Sequence, residues 1–559
     1  MEAAVRLGIL SLLAAASSVL ASLSFPTHDL GFLAWFGLAP FLWALRRKGP
    51  LSASWLGFLF GFGICIGAFS WILKVPGMDI PLFLIMSSQF SLFFALFGLL
   101  YNLVDRRIGR WMTILGPSVW VGVEFLRSNA SFVSLPWNLL GHSQHGYLPV
   151  IQIADVTGVY GVSFLLVLVN QVLSEHLEGH YQRIRGVADL SDGLQRSPGL
   201  GRKSLAAALV TLFVLGYGVY RMSSGNAPGK RLRVAIVQAN LVFRSTMSFS
   251  ERINILGTYT KMTRDMAGEK PDLVVWPASS LPMRLPSSPI YIDILSLARE
   301  INAYLLVGWS GGAKGETGVS PAPAYSNTEY LVSPVPKTVT AGRPAMGVLR
   351  NGSFTPLVLA PPIGSLAGEY RKIGLLAFHE YLPLEKWIRW PRWLTGLDRS
   401  FLPGEEFKVF EVLDGRFGAP ICWENMFPGL FRRFVAAGAN FMVSVSNEAF
   451  YGDSAAPHQI LAMLAFRAVE NRVSVVRCTT TGISGFIASD GRILDTVRDA
   501  NGKELFATGV LTRDVQLSDR KTFYTRYGDL FVWGVGTLGG LAALYAIFRR
   551  RMNPDGPAK

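Results

Sequence analysis

Three short segments carry residue types suited to nucleophilic chemistry. "GAPICWENMFPG" (418–429) places Cys422 at the end of an expected strand, just before a turn and a helix-like run. A thiol there lies near backbone N–H groups that favour its thiolate, the nucleophilic form. The plainer alternative is a small buried hydrophobe, the usual state of a lone cysteine. "GEYRKIGLLAFHEYLP" (368–383) adds Lys372 and Glu380. A lysine in so apolar a segment is either a donor to a developing oxyanion or a surface cation. Glu380 either orients that lysine or caps a turn. "SNEAFYGDSAAPHQ" (446–459) supplies Asn447, Glu448 and Asp453, which either line a pocket or cap the helix beginning near Pro457. His458 has no second histidine at ligand spacing, so it reads as structural and no metal site is expected.

The elements that must position these residues alternate in type. "LRVAIVQAN" (232–240), "DLVVWPAS" (272–279), "AYLLVGWS" (303–310), "NFMVSVSN" (440–447) and "VSVVRCTT" (473–480) are short, apolar and β-branched, as strands are. "YIDILSLAREINA" (291–303) and "PHQILAMLAFRAVENR" (457–472) have helical spacing. Strands alternating with helices predict an α/β sandwich over 223–527. Residues 334–365, rich in Pro, Gly and Thr, read as a long loop of the kind that is more often functional than structural.

The remainder of the chain is a different solvent problem. Of 559 residues, 50% are hydrophobic, and the mean hydropathy of +0.33 is too high for an ordinary soluble protein. Apolar windows of spanning length fall near 7–25, 29–45, 53–73, 80–104, 111–127, 157–176, 204–222 and 528–548. The fifth is the weakest, because Glu124 and Arg127 sit at its end. The predicted organisation is a polytopic helical bundle of about eight spans in all, seven over 1–222, an inserted α/β domain over 223–527, and the eighth span with a basic tail over 528–559. "RRK" (46–48), "DRRIGR" (105–110), the arginines between 183 and 202, and "RRRM" (549–552) make every second connection basic. Basic connections face the cytoplasm, which puts the α/β domain on the opposite side. The net charge of +15 is read the same way, as loop charge that sets topology. No helix-turn-helix or finger pattern supports a nucleic-acid partner. Three cysteines exclude a disulfide framework and leave one Cys422–Cys478 bridge open. "SLPWNLLGHSQHGYLP" (134–149) looks like an interfacial loop at the membrane edge, where Trp137 would be an anchor.

These pieces together resemble the apolipoprotein N-acyltransferases, bacterial inner-membrane enzymes with a nitrilase-type domain inserted before the last helix. "FPTHDLGFLAWFGLAPFLWAL" (25–45), "PWNLLGHSQ" (136–144), "GVYGVSF" (158–164), "ICWEN", "FRAVENR" and "TGISGFIASDGRI" carry the likeness over nearly the whole chain. The resemblance implies an αββα sandwich and a two-step acyl transfer without a cofactor. A cysteine takes an acyl chain from a phosphatidylethanolamine-like phospholipid, and the N-terminal amine of a diacylglyceryl-lipoprotein then takes it from the thioester. It implies Cys422 as nucleophile, Lys372 as oxyanion stabiliser, and Glu380 and Glu424 as supporting carboxylates. Asn327, Trp423, Pro383 and Trp137 are implied to bind substrate. The periplasm would hold the α/β domain, and the chain would act as a monomer.

One position departs sharply. The family's general base is the glutamate of a Trp-Pro-Glu motif, and here "VVWPASSLP" (274–282) reads Trp276-Pro277-Ala278. Neither Ser279 nor Ser280 replaces a carboxylate at neutral pH. Met247, Ala377, His379, Cys478 and Thr480 are further departures around the implied pocket, a pattern of natural divergence rather than of one introduced change. The alanine sets two expectations against each other: an acyltransferase, inactive or strongly impaired unless another group moves the proton, or a relative that binds phospholipid or lipoprotein without turnover. A membrane-anchored amidase fits less well, since it has no use for a lipid-access loop. A transporter is unsupported by any mid-span ionisable pair.

Overall fold

A computed structural model describes residues 2–47, 49–184, 199–224, 229–242, 247–311, 325–335, 348–350, 353–355, 363–391 and 400–552. Two six-stranded mixed sheets form the α/β part. The first runs, in spatial order, β14 (Gly509–Gln516), β1 (Arg231–Gln238), β2 (Leu273–Val275), β3 (Tyr304–Gly311), β4 (Ser326–Ser333) and β7 (Ser365–Arg371). The second runs β13 (Ile493–Thr496), β12 (Gly485–Ile487), β11 (Ser474–Thr479), β10 (Phe441–Ser446), β9 (Gly415–Gly418) and β8 (Phe410–Val412). β5 (Val348–Arg350) and β6 (Ser353–Thr355) pair as a separate hairpin. They fall inside the segment expected as a loop, most of which lies outside the described residues.

Period-two alternation decides which side chains meet. Val234 and Ile236 of β1, Leu273 and Val275 of β2, Leu306 of β3, Leu331 of β4 and Tyr370 of β7 face the second sheet in one shared core. Ala235, Val237, Val274, Leu305, Val307 and Tyr330 point the other way. They pack on Ile255, Leu256 and Tyr259 of helix Phe249–Asp265 and on Ile294, Leu297 and Ala298 of helix Tyr291–Ile301. Helices Pro428–Ala436 and Ala456–Asn471 cover the second sheet, which completes the four layers. β1, β2 and β3 are mutually parallel, and β7 is antiparallel to β4, which is antiparallel to β3. The carboxyl ends of β2, β3 and β7 therefore open at one end of the sandwich, where open α/β sheets bind ligands.

Among the described residues, six stretches are long and apolar enough to cross a membrane: Val5–Leu23, Pro50–Lys74, Ile80–Asn129, Val159–Ile184, Leu200–Ser223 and Leu530–Phe548. The third contains two helices, Ile80–Ile108 and Met112–Asn129, joined by a turn. The expected second span is a shorter apolar stretch, Gly31–Arg46, broken by a bend. The count of about eight apolar segments thus stands, with one of them short. The charges that weaken the fifth window have a structural use. Buried Glu124 accepts from the Leu140 N–H at 2.8 Å through Oε1, and Arg127 donates to the Leu135 and Trp137 carbonyls at 3.1 and 3.0 Å. The pair holds the loop carrying Trp137 against the bundle.

Helical bundle and sandwich meet through a buried polar joint. The Gln459 side chain accepts from the indole N–H of Trp71 at 3.1 Å and of Trp137 at 2.7 Å, and donates to the Pro26 and Ala68 carbonyls at 3.0 Å each. Arg472 reaches Asp155 at 2.9 Å and Gln152 at 2.6 Å. Buried groups so fully paired hold one geometry, because each lost partner leaves a desolvated polar atom.

Candidate active site

Cys422 follows Ile421, which bridges Val445 in parallel, and it opens the short 3-10 helix Cys422–Met426. Its φ is +52°, left-handed backbone that costs a non-glycine residue about 1–2 kcal/mol. Strain of this kind persists only where the surroundings over-determine it. Glu424 does so. Its Oε2 accepts from the Ile421 N–H at 2.7 Å, and its Oε1 accepts from the N–H groups of Ile373 and Gly374, each at 2.8 Å. The Tyr370 hydroxyl donates to both oxygens, at 2.8 and 3.0 Å. One carboxylate thereby ties the cysteine turn on the second sheet to the end of β7 on the first. Burial pushes the Glu424 carboxyl up, with the Lys372 charge and these donors pulling the other way. Its four donors leave it no free lone pair for proton transfer.

Lys372 follows β7, its N–H bonded to the Asn327 carbonyl at 2.9 Å. Its ammonium lies 2.7 Å from both oxygens of Glu380, and the two side chains are 2% and 8% exposed. Glu380 also accepts from the Leu376 N–H at 2.7 Å and from the Asn327 side-chain amide, whose own oxygen accepts from Ser310. Burial alone would lower the Lys372 pKa; Glu380, then Cys422 and Glu424, more than offset that and raise it above the ordinary value. The ammonium is thus permanently charged. Two of its three donors are spent on Glu380, which leaves one for an incoming oxygen.

The thiol differs from expectation. Burial pushes the Cys422 pKa up, and Lys372 lowers it by less than burial raises it, so the resting cysteine is a protonated thiol and not a thiolate. Desolvation of the sulfur outweighs the nearby Lys372 charge, although the Cys422 residue as a whole is only partly buried. Cys65, Cys422 and Cys478 are all free, so the open bridge between the last two is not made. Cys478 sits inside the sandwich with its sulfur 3.4 Å from the Val275 carbonyl.

The other expected residues divide into two groups. Asn327, Lys372, Glu380, Cys422 and Glu424 form one connected cluster. Trp423, half-buried, stands with its ring centroid 6.2 Å from that of Trp137, which is fully buried in the joint with Trp71 and Gln459. Pro383 is buried and accepts from the Trp390 indole at 2.6 Å, holding the base of a loop on which Leu384 is 51% and Trp387 85% exposed. Of the acids in "SNEAFYGDSAAPHQ", Glu448 is buried on Arg477 at 2.7 Å and Asp453 pairs with Lys503 at the surface. Among the described residues, no group of three metal-ligating side chains comes together.

Ala278 lies just past β2 and faces the core between the sheets, on the opposite side from Trp276, whose indole donates to Thr263 at 2.9 Å. A carboxylate is nevertheless present there. Glu329 of β4 is 1% exposed and faces the same interior. It pairs in register with Gly308 of β3 on one side and Tyr370 of β7 on the other. A Cβ on Gly308 would stand 2.9 Å from the Ala278 Cα and 3.0 Å from the Glu329 carboxyl carbon. Sequence reading passed over Glu329, although strand alternation in "SNTEYLVS" places it on the face of Asn327.

The family model for the apolipoprotein N-acyltransferase N-terminal domain matches residues 17–172, and that for carbon-nitrogen hydrolases matches residues 233–524. The chain is 34% identical over 555 residues to the apolipoprotein N-acyltransferase of Geobacter metallireducens, covering 97% of this chain and 95% of that one. It is 29% identical over 564 residues to the Chlorobaculum tepidum protein of the same name, covering 96% of each. It is 27% identical over 537 residues to apolipoprotein N-acyltransferase 2 of Treponema denticola, covering 92% of this chain and 93% of that one. With both halves matched in order, and with a cysteine, a buried lysine and two supporting carboxylates in one cluster, the chain belongs to the apolipoprotein N-acyltransferase family.

Proposed function

We propose that this protein transfers an acyl chain from a phosphatidylethanolamine-like phospholipid to Cys422, and from that thioester to the N-terminal amine of a diacylglyceryl-lipoprotein. Cys422 attacks the ester carbonyl, Lys372 donates its remaining N–H to the oxyanion, and Glu380 holds that ammonium in place. Asn327 steadies Glu380. Trp423 and the loop based at Pro383 contact the lipid. Trp137, packed behind Trp423, sets its position rather than touching substrate.

The observation that carries this reading is the strained Cys422 turn, clamped beside a charged, buried Lys372 where the sandwich packs on the bundle. A cleft of about 290 Å³ runs between sandwich and bundle beside this cluster, lined not by Cys422 or Lys372 but by their neighbours Trp423 and Ile373, with Leu375, Phe427, Leu430 and Tyr160, and with Arg433 and Asp529 among its polar groups. That lining suits an acyl chain, and the exposed Trp387 and Leu384 suit a site that opens toward lipid. Alternating basic connections support insertion in the bacterial inner membrane with residues 223–527 in the periplasm, between a bundle of 1–222 and a last segment of 528–559. The cluster takes all its groups from one chain, consistent with a working monomer.

The test is direct. Purified protein with radiolabelled phosphatidylethanolamine is expected to acquire a hydroxylamine-sensitive label that Cys422→Ala abolishes. A synthetic diacylglyceryl-cysteine peptide then discharges it as an amide. Phospholipid binding with no label on Cys422 would instead establish the non-catalytic reading.

A further inference from the structure

We infer that Glu329 is the group that takes the proton from the Cys422 thiol and returns it to the leaving group, directly or through one water. This deepens the acyl-transfer reading above and rests on it for the identity of the substrate.

The site needs such a group, since its thiol is protonated at rest. The other nearby carboxylates are engaged. Glu380 is held by Lys372, Asn327 and Leu376, Glu424 by three backbone N–H groups and Tyr370, and Glu448 by Arg477. Glu329 is the exception. Among the described residues its buried Oε2 has no hydrogen-bond partner. A buried, unpaired carboxyl in a sandwich interior is costly and calls for a reason.

Its placement supplies one. Asn327, two residues earlier on the same face of β4, touches Glu380. Tyr370, directly across on β7, donates to the Glu424 clamp of the cysteine turn. On the β3 side, Gly308 leaves a gap that both the Glu329 carboxyl and Ala278 border. A side chain larger than alanine at 278 would compete for that gap, so the small residue just past β2 and the acid on β4 read as one exchange of position across Gly308.

The chemistry balances. The thiol proton passes to Glu329, and the sulfur attacks the ester carbonyl. The tetrahedral intermediate expels the lysophospholipid alkoxide, which recovers the proton from Glu329. In the second half, the acceptor amine gives its proton to Glu329 as nitrogen attacks the thioester, and the departing Cys422 thiolate takes it back. Burial holds the Glu329 carboxyl well above the usual carboxylate range, which brings its proton affinity toward that of the groups it must serve. The titratable groups set against it are Tyr370, opposite on β7, and Cys478 of β11; Tyr330 is its chain neighbour.

The experiment reads Cys422 in two ways on the full-length protein in detergent: alkylation by iodoacetamide, followed by mass spectrometry of its peptide, and thioester formation from labelled phosphatidylethanolamine. Glu329→Gln, which is isosteric, is expected to slow both by about 10²–10⁴-fold and to flatten the rise of rate with pH. Moving the acid back, in the double variant Ala278→Glu with Glu329→Ala, is expected to restore much of the loss, which a merely structural Glu329 would not allow. Wild-type rates and an unchanged pH limb in Glu329→Gln would overturn the inference. Alkylation that depends on Glu329 in a protein forming no thioester would uphold the proton-acceptor role and overturn the acyl-transfer reading.

Discussion

Replacing Lys372 by methionine separates its charge from its length. The wild-type ammonium and Glu380 lie 2.7 Å apart with side chains 2% and 8% exposed. Removing one member strands the other as an uncompensated buried charge, which costs about 3–5 kcal/mol. Two further donors, the Leu376 N–H and the Asn327 amide, remain on Glu380 and bring the expected loss to the lower part of that range. For a domain of this size, that is a fall in Tm of about 6–12 °C. Adding Glu380→Gln neutralises the stranded charge, so the double variant Lys372→Met/Glu380→Gln is expected to recover most of the lost stability. Activity is expected not to follow. Loss of one oxyanion donor slows thioester formation by about 10²–10³-fold, and the double variant stays slow. The assay pairs thermal unfolding in detergent with the rate of label transfer to Cys422. A single variant that melts with wild type would refute the buried pair as described. A double variant acylating at the wild-type rate would refute Lys372 as the oxyanion donor.

Further outcomes follow from other contacts. Burial raises the Glu329 pKa above its ordinary 4.5, so the unfolded chain releases this proton at lower pH than the folded one and stability falls as pH rises through that window. Glu329→Gln removes the slope and is expected to melt above wild type near about pH 8, with the gap closing near about pH 4; a constant gap would count against a raised Glu329 pKa. Gly308→Ala places a methyl group 2.9 Å from the Ala278 Cα, and is expected to cost about 1–3 kcal/mol in thermal unfolding while slowing Cys422 alkylation. Gln459→Ala leaves two indole N–H groups and two carbonyls unpaired and is expected to lose about 3 kcal/mol, seen as earlier proteolytic separation of the sandwich from the bundle. Glu424→Gln turns an amide toward three N–H donors, and is expected to destabilise by about 2 kcal/mol and to loosen the Cys422 turn, measured as faster hydrogen exchange at Ile373 and Gly374.

Much of this was readable before folding. The apolar windows follow from the length a bilayer requires. The strands at 231–238, 304–311, 441–446 and 474–479 and the helices at 291–301 and 456–471 follow from local periodicity. Cys422, Lys372 and Glu380 stood out because a thiol, a cation and an acid sat in apolar settings. The second span was overestimated because Gly31–Arg46 is apolar throughout yet bends between two short helices. What the sequence could not determine are relations between distant segments. Glu424 lies two residues from the nucleophile, yet its role is set by donors 50 to 54 positions away on the other sheet. Trp137 resembles a membrane anchor until Gln459, 322 residues on, is found to hold it. Ala278 looks like a missing acid because only a motif on one strand is visible in sequence, while the carboxylate reaches the same space from β4. Backbone periodicity is local and leaves its mark on every few residues, but the register of one strand against another and the packing of two sheets are settled only when the chain closes, and those determine which charge meets which.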